Sequence, residues 1–507
     1  MKDRFYFQRG YFMQPDLLKN DLKDNIITIR SKCENSADIL IREITIRQNK
    51  IAFVTCSAMI SDLNAYEMIV SPLTHLRPAQ AASPRELFDF IHDSSMFAME
   101  LNDVYDYDTL FVFVMSGFVI VLVDGINQAV ALGVQGFKYR GVSQPSSEVN
   151  QHGSQEAFTE IGVINTSMVR RRLKTPKLRF EQLRLGKKSQ TNVFIGYLTD
   201  VADPKLVDGV RKNLKKVDLD VVLAASYLRP FLEKGKRSIF TTVRTTERPD
   251  TLCAKIAEGR VAVIVDGTPF ALIVPSLFIE NFQNVDDYCS KPYFATFVRL
   301  IKYLAFFITV YLPGLYISFV NFNPEIIPRS LLYNIASNQS IMPFSIVVEA
   351  IVINFIYEIM REAGIRMPQS VGHAVSIVGS LVVGQAAVSA GLVSAPMIMM
   401  VALTAISSYA LPSVYEPCAL LRLMFILLGG FFGLLGISIG TIFLLINVTS
   451  FSSFGVPFLS TVSPFSLRAS LRDVVYRASW TKLQKGSSKI QDLEGVHIQQ
   501  QGSSKED

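Results

Sequence analysis

Two carboxylates set in an apolar stretch are the residues of this chain best placed to do chemistry. Ile341 to Met360 carries no other charge than Glu349 and Glu358. A carboxylate at membrane depth is costly unless it is paired or wetted, so it marks either an ion path or an interhelical pair. Nine positions separate the two, about 900° of helical rotation, which sets them on opposite sides and excludes a proton-sharing dyad. Glu349 lies near the centre of the stretch. It reads as a cation-selecting group or as one half of an interhelical pair. Asn354 and Glu358 share a face at i, i+4, and with Arg361 and Glu362 just beyond, Glu358 to Glu362 read as interfacial ion pairs.

The next polar set is a stripe of small residues. Between Arg366 and Glu416 there is a run of 49 residues without Lys, Arg, Asp or Glu, and about 20 apolar residues suffice for one crossing. Within Pro368 to Gly391, read as a helix, Ser376, Ser380, Gly384, Ala387 and Gly391 fall on one narrow face, with Gln385 beside it. Small residues let helices approach closely in lipid. The stripe therefore suits either a tight helix seam or the wall of a narrow pore.

These residues need a helical scaffold, and the charge pattern supplies one. The chain has 507 residues, 49% hydrophobic and only 19% charged, and the shortage of charge is concentrated after residue 302. Tyr303 to Phe322 is the first span, with Arg299 and Lys302 on its leading, cytoplasmic side by the positive-inside tendency. Ile341 to Met360, Pro368 to Gly391 and Pro396 to Leu411 follow. Leu423 to Leu467 adds 45 uncharged residues. Its first part holds Gly429, Gly433, Gly436 and Gly440 at small-xxx-small spacing. Its second part, rich in Ser and Pro, reads as a weak or re-entrant sixth span. The tail from Arg468 carries seven Lys or Arg, so both ends are expected in the cytoplasm, with six crossings, or four if the second and sixth fail.

The front half reads as a soluble α/β or α+β region of two subdomains. Residues 1–38 form a lead-in, 39–140 the first subdomain, 141–153 a linker and 154–292 the second. The membrane domain then runs over 293–467 and a basic tail over 468–507. Strands are expected at Ile39 to Ile46, Ile51 to Cys56 and Thr191 to Leu198, and helices near 62–76, 84–91, 158–173 and 204–214. Leu110 to Leu132 is apolar enough to suggest a span, but Asp124-Gly125 breaks it in the manner of a strand hairpin. That pattern returns. SGFVIVLVDGINQAVAL from Ser116 and EGRVAVIVDGTPFALIV from Glu258 superpose at a constant offset of 142, which fits either two independent hairpins or two related subdomains.

Several classes of function lack support. No GxGxxG, GxxxxGK[ST] or GxSxG motif occurs, the five histidines form no HExxH, and the five cysteines show no metal spacing. No cofactor and no enzymatic activity are expected. The net charge of +6 comes without a basic stripe interleaved with aromatics, so no nucleic-acid partner is expected. Arg170 to Arg179 clusters basic residues, as a solvated helix end or as a contact for anionic lipid or an acidic partner.

One resemblance runs through most of the chain. TERPD at Thr246 to Asp250, EGRVAVIVDGTPFALIVP at Glu258 to Pro275, DDY at Asp286 to Tyr288, REAGIRMP at Arg361 to Pro368, VGHAVSIVGSLVVGQAAVSAGLVS at Val371 to Ser394 and FGVPFLSTVSPFS at Phe454 to Ser466 occur in that order. Together they resemble the A-subunit family of bacterial spore germination receptors, the GerA family. Gln144 before Pro145, and His152 to Ser154 in place of Gly-Pro, depart from its pattern. The resemblance implies a subunit of the spore inner membrane acting with a transporter-like B subunit and a lipoprotein C subunit. It also implies that nutrient binds the B subunit while A subunits oligomerise into a nutrient-gated ion channel. Arg248, Pro249, Asp250, Asp266 and Gly267 are the motif positions expected to be structural. Glu349, Asn354, Ser376, Ser380, Gly384 and Gln385 are the candidates for the polar face of a pore.

Overall fold

The computed structural model describes residues 16–57, 59–74, 76, 81–94, 100–136, 145, 147–233, 238–366, 384–463, 473–483, 489–493 and 496. Two five-stranded antiparallel sheets dominate the first 280 residues. The first contains β1 (Ile39–Ile46), β2 (Asn49–Cys56), β3 (Leu101–Val104), β4 (Phe118–Val123) and β5 (Ala129–Gly133) in the order β1-β2-β4-β5-β3. The second contains β6 (Leu178–Leu185), β7 (Thr191–Leu198), β8 (Arg244–Thr246), β9 (Val261–Val265) and β10 (Ala271–Val274) in the order β6-β7-β9-β10-β8.

The two orders are one topology, and the register repeats with it. Ile51 pairs with Val123 and Leu122 with Ala129 in the first sheet; Val193 pairs with Val265 and Ile264 with Ala271 in the second. Each of these partners is shifted by the 142 residues of the sequence repeat, while at the outer strand the shift is 139, Ile44 pairing with Ile51 and Leu183 with Val193; the hairpins belong to two related subdomains. In both Asp-Gly turns the glycine has a φ near +87°, +86° at Gly125 and +88° at Gly267, a region that side chains with a Cβ rarely adopt. The aspartates have a second task. Asp124 Oδ1 accepts the Leu22 amide at 3.1 Å and Asp266 Oδ1 accepts the Gly162 amide at 2.7 Å. Those amides open α1 (Leu22–Lys32) and α4 (Gly162–Arg172), where unsatisfied N–H groups and the helix dipole favour a carboxylate. Each subdomain thus fixes its leading helix to its central turn.

Residues 16–33 belong to the first subdomain and extend it beyond the expected start at 39. Leu22, Ile26 and Ile29 of α1 are buried in its core, because their spacing gives the helix one apolar face. A helix also precedes the first hairpin. α2 (Pro84–Ser94) covers one face of the sheet, and α3 (Tyr107–Val114) takes the start of the apolar run expected to be strand. α3 is capped by Asp106, whose carboxylate accepts the Thr109 amide at 2.7 Å. The second subdomain adds α5 (Pro204–Lys215) and α6 (Pro249–Ala257).

The back half is helical. α7 (Pro292–Phe322), α8 (Arg329–Gln339), α9 (Ile346–Arg366), α10 (Ala395–Tyr409) and α11 (Tyr415–Ser450) are its main elements, with a short helical run at 384–389. α11 is two helices. Gly433 has φ +60° and ψ −145°, outside the helical region, and a Cβ on Gly440 would stand 3.0 Å from the Phe425 ring. In a straight helix those residues would be about 22 Å apart, so the second arm, 434–450, folds back along the first, 415–432. Arms of this length span about 26 Å each, close to the roughly 30 Å of a bilayer core.

This return corrects the sixth span. Residues 451–463 do not run back through the bundle: β11 (Ser452–Ser453) and β12 (Val456–Pro457) form a hairpin whose Phe454 is buried in the core of the second subdomain. The physical reason is polarity. Ser, Pro and turn-forming Gly455 leave backbone groups that a helix cannot satisfy in hydrocarbon, whereas 434–450 is uncharged, mostly apolar and helical, and returns along the first arm.

Candidate functional site

Helix direction in the bundle follows from its contacts. α7 starts beside the second subdomain, with Phe306 against Phe278 and Phe282, and ends at Phe322 beside the Gly433 turn. The ends facing the subdomain are the near end, and the Gly433 turn marks the far end. α9 runs from far to near, since Val347 lies against Gly430 while Glu358 meets Arg422 and Tyr415. α10 runs the same way, from Ser394 against Glu349 to a Ser408 hydroxyl 3.3 Å from that of Tyr357.

Glu349 is the most enclosed carboxylate of the bundle. It has no solvent exposure, and its Oε2 accepts the Ser394 hydroxyl at 2.9 Å and the Ser394 amide at 3.2 Å. Ser394 is the N-cap of α10, so the Glu349 carboxyl group faces the end of that helix whose free N–H groups and dipole favour an acceptor. Oε1 is without a partner among the described residues, as are the buried Tyr316 hydroxyl and Asn354 Oδ1. Asn354 donates its Nδ2 to the Ala350 carbonyl at 2.7 Å. No basic side chain among the described residues pairs with Glu349. Glu358, by contrast, is held by Arg422 and by the Tyr415 hydroxyl at 2.7 Å, with Arg361 over the Tyr415 ring.

The stripe divides. Ser376 and Ser380 lie outside the described residues. Gly384 is half-buried, and among the described residues the nearest neighbour of a Cβ placed there is Ile398 Cγ2 at 4.0 Å. Gln385 is exposed, Ala387 is buried, and Gly391 takes φ +65° in the turn that precedes α10. The other glycines make seams within one chain. A Cβ on Gly429 would lie 2.5 Å from the Gly314 carbonyl oxygen of α7, so α7 and the first arm of α11 touch backbone to backbone.

At the near end, buried ion pairs join the bundle to the second subdomain. Arg299, fully buried, donates to Asp287 and Asp473 at 2.9 Å each, and Lys302 is 3.4 Å from Asp287. The charges expected to mark a cytoplasmic flank are therefore committed to a junction. Asp473 also accepts the Tyr288 hydroxyl at 2.8 Å, and the Arg477 guanidinium lies over Tyr288 and Trp480. Residues 473–480 thus strap the base of α7. Next to this, Lys255 and Arg260 each reach Glu280 at 2.6 Å. Burial alone would raise the Glu280 carboxyl, but Arg260, Lys255 and Arg244 hold it well below the usual carboxylate range.

The family-motif residues build the same region. Arg248, 1% exposed, reaches both oxygens of Asp250 and the carbonyls of Ser154 and Glu148. Pro249 occupies the first turn of α6, where no amide is needed. A polar cavity of about 360 Å³ opens between Arg244, Arg248 and Glu148 of the subdomain and Pro412, Ser413 and Glu416 at the start of α11. Burial raises the Glu148 carboxyl there.

The subdomains are joined by a clasp that the sequence did not reveal. Arg170 of α4, fully buried, donates Nε to Asp38 Oδ2 at 2.8 Å and Nη2 to Asp38 Oδ1 at 2.9 Å. Ser36 donates to Asp38 and accepts from the Phe180 amide, and the Ala37 amide donates to the Phe180 carbonyl. Arg170 is thus neither a solvated helix end nor a lipid contact. Burial pushes the adjacent Cys33 thiol up to about 12, which leaves it a packing group. Among the described residues no group of three His, Cys, Asp or Glu could hold a metal ion.

A duplicated α/β body is thus locked by buried ion pairs to a helical bundle that holds long apolar helices and a sequestered carboxylate. Two segments, Pro292–Phe322 and Pro412–Ser450, are long and apolar enough to cross a membrane, with mean hydropathies of 1.8 and 2.2. Residues 27–488 match the model of the Bacillus/Clostridium GerA spore germination protein, and the chain belongs to that family. It is 36% identical over 472 residues to Spore germination protein KA of Bacillus subtilis (strain 168), covering 92% of this chain and 86% of that protein. It is 30% identical over 451 residues to Spore germination protein GerLA of Bacillus cereus, covering 88% of this chain and 91% of that protein. A crystal structure of the N-terminal domain of the A subunit of the Bacillus megaterium spore germinant receptor GerK3 is similar at 29% identity and a TM-score of 0.40, over 52% of this chain and 99% of that one.

Proposed function

We propose that the chain is the A subunit of a nutrient germinant receptor, a non-enzymatic protein of the spore inner membrane with both termini in the cytoplasm. Copies of it oligomerise, together with B-type transporter-like and C-type lipoprotein subunits, into a nutrient-gated channel that passes cations at germination. One observation carries this reading: a bundle whose interior encloses a carboxyl group with no basic partner among the described residues presents apolar side chains outward. Phe355, Ile359, Ile406, Phe432, Ile439 and Phe443 are each more than half exposed, a surface suited to lipid or neighbouring helices and unsuited to water. Glu349 sets the preference for cations, and the face bearing Gly384 and Gln385 lies towards the pore.

A second reading, a scaffold that relays the signal without conducting, is favoured by the seat of Glu349 inside a single chain against Ser394. The oligomer count separates the two at the first step. A subunit-lined pore requires a ring, so native mass measurement of the detergent-extracted protein should give a closed oligomer of several copies. A monomer at membrane-like concentrations rejects the subunit-lined channel.

A further inference from the structure

The two arms of α11 are held at the near end in different ways. The first arm begins at Tyr415, after a turn in which Pro412 and Ser413 face the second subdomain across the polar cavity of about 360 Å³. The second arm leaves through the β11–β12 hairpin, which is seated in that subdomain. Phe454, 6% exposed, joins the core formed by Leu206, Val207 and Val210 of α5. Gly209 makes room for it: a Cβ there would lie 2.8 Å from the Phe454 ring. A second anchor follows. The Phe278 amide donates to the Phe458 carbonyl at 2.9 Å, and the Phe458 ring packs against Phe240 and Phe278.

The arms also differ along their length. The first packs backbone to backbone on α7 through Gly314 and Gly429 and is tied to α9 through Arg422 and Glu358. The second touches the first along Gly436 and Gly440, while Leu435, Ile439, Ile442 and Ile446 are more than half exposed. The buried side chains of the second arm are Ile437, Leu444 and Val448, fewer than the Tyr415, Cys418, Leu421, Arg422, Phe425 and Ile426 that the first arm buries, and a helix with fewer interlocked side chains resists displacement less.

We propose that the second arm, 434–450, is the moving helix of the bundle, and that the second cytoplasmic subdomain drives it through the hairpin plugged by Phe454. The first arm, fixed to α7 and α9, is the stator; the polar cavity gives the subdomain room to shift against the α10–α11 turn, and Gly433 is the pivot. The mechanism does not require that the chain itself conduct ions, because the same lever would serve a relay.

The test is hydrogen–deuterium exchange on the full-length protein in detergent, read separately over 415–432 and 434–450. Phe454→Ser removes the plug, and Gly209→Val closes the slot that receives it. Both should speed exchange in the second arm by about tenfold or more while the first arm changes by less than about twofold. Equal changes in the two arms, or none, overturn the lever. Peptides of β7 and β9 report whether the subdomain core has itself loosened. If it has, a third variant decides: Gly-Ser-Gly-Ser inserted between Ser450 and Phe451, which leaves Phe454 seated and breaks the link. Spores carrying the insertion at normal protein level should lose the nutrient response. A wild-type response refutes the coupling. If purified wild-type protein proves unable to pass ions, the channel reading fails and the exchange result stands on its own.

Discussion

Removing the Arg170 guanidinium should open the contact between the first and second subdomains. In Arg170→Ala, Asp38, itself 7% exposed, loses both charge-assisted bonds, the 2.8 Å and 2.9 Å contacts, and keeps the Ser36 hydroxyl. Breaking a buried pair by deleting one partner costs about 3–5 kcal/mol, because the remaining charge is left uncompensated. The amides that report it are at hand. Ala37 donates to the Phe180 carbonyl and Phe180 to the Ser36 hydroxyl, one bond from each side of the clasp. At about 1.4 kcal/mol per factor of ten, their exchange should accelerate by roughly two to more than three orders of magnitude. Replacing both charges, Asp38→Leu with Arg170→Met, should recover most of the loss, since an apolar pair of similar volume is often neutral or stabilising. The assay is native-state hydrogen exchange at a pH where opening is a pre-equilibrium. Acceleration of less than about fivefold in Arg170→Ala would show that the subdomains are held by something other than this pair.

Acid should weaken the second subdomain, where it meets the near end of the bundle, through Glu280. Its carboxyl is held below the usual range in the folded chain, whereas an unfolded Glu titrates near about 4.3. The stabilisation is therefore complete above that value and is lost progressively as pH falls from it towards the lower folded value. Glu280→Gln should reduce both the stability at neutral pH and the steepness of the acid loss, measured as melting temperature against pH; an unchanged slope contradicts the assignment. Glu349→Gln keeps an oxygen for the two Ser394 donors, so the variant should fold, and its cation-over-anion ratio in single-channel recording should fall. An unaltered ratio removes Glu349 from selectivity.

Strand hairpins and the repeat were legible because turn chemistry and β-branched runs are local. The 142-residue offset seen in SGFVIVLVDG and EGRVAVIVDG reappears as strand register. The long apolar helix over Tyr303 to Phe322 was legible for a similar reason, since length and lack of charge are local signals. What the sequence hid is long-range. Nothing near Arg170 points to Asp38, 132 positions away, and a basic run at a helix end reads as solvated until its partner is placed. Gly433 looked like one member of a small-residue seam, yet its positive φ reverses the chain. That reversal left the Ser/Pro-rich stretch free to dock in the second subdomain, with Phe454 as the plug. Glu349 was found by its rarity in an apolar helix. Its partner Ser394 gave no signal, because a serine after an apolar turn is an ordinary helix start.

The channel claim is tested most directly by ion flux. Purified wild-type chain in liposomes, alone or with its partner subunits, should release a trapped monovalent cation, and Gly384→Leu should block that release. The substitution is informative because, among the described residues, the nearest neighbour of a Cβ at Gly384 is Ile398, at an ordinary contact distance of 4.0 Å. Wild-type liposomes that stay sealed, or a Gly384→Leu protein that leaks as fast as the wild type, would contradict a pore lined by this face.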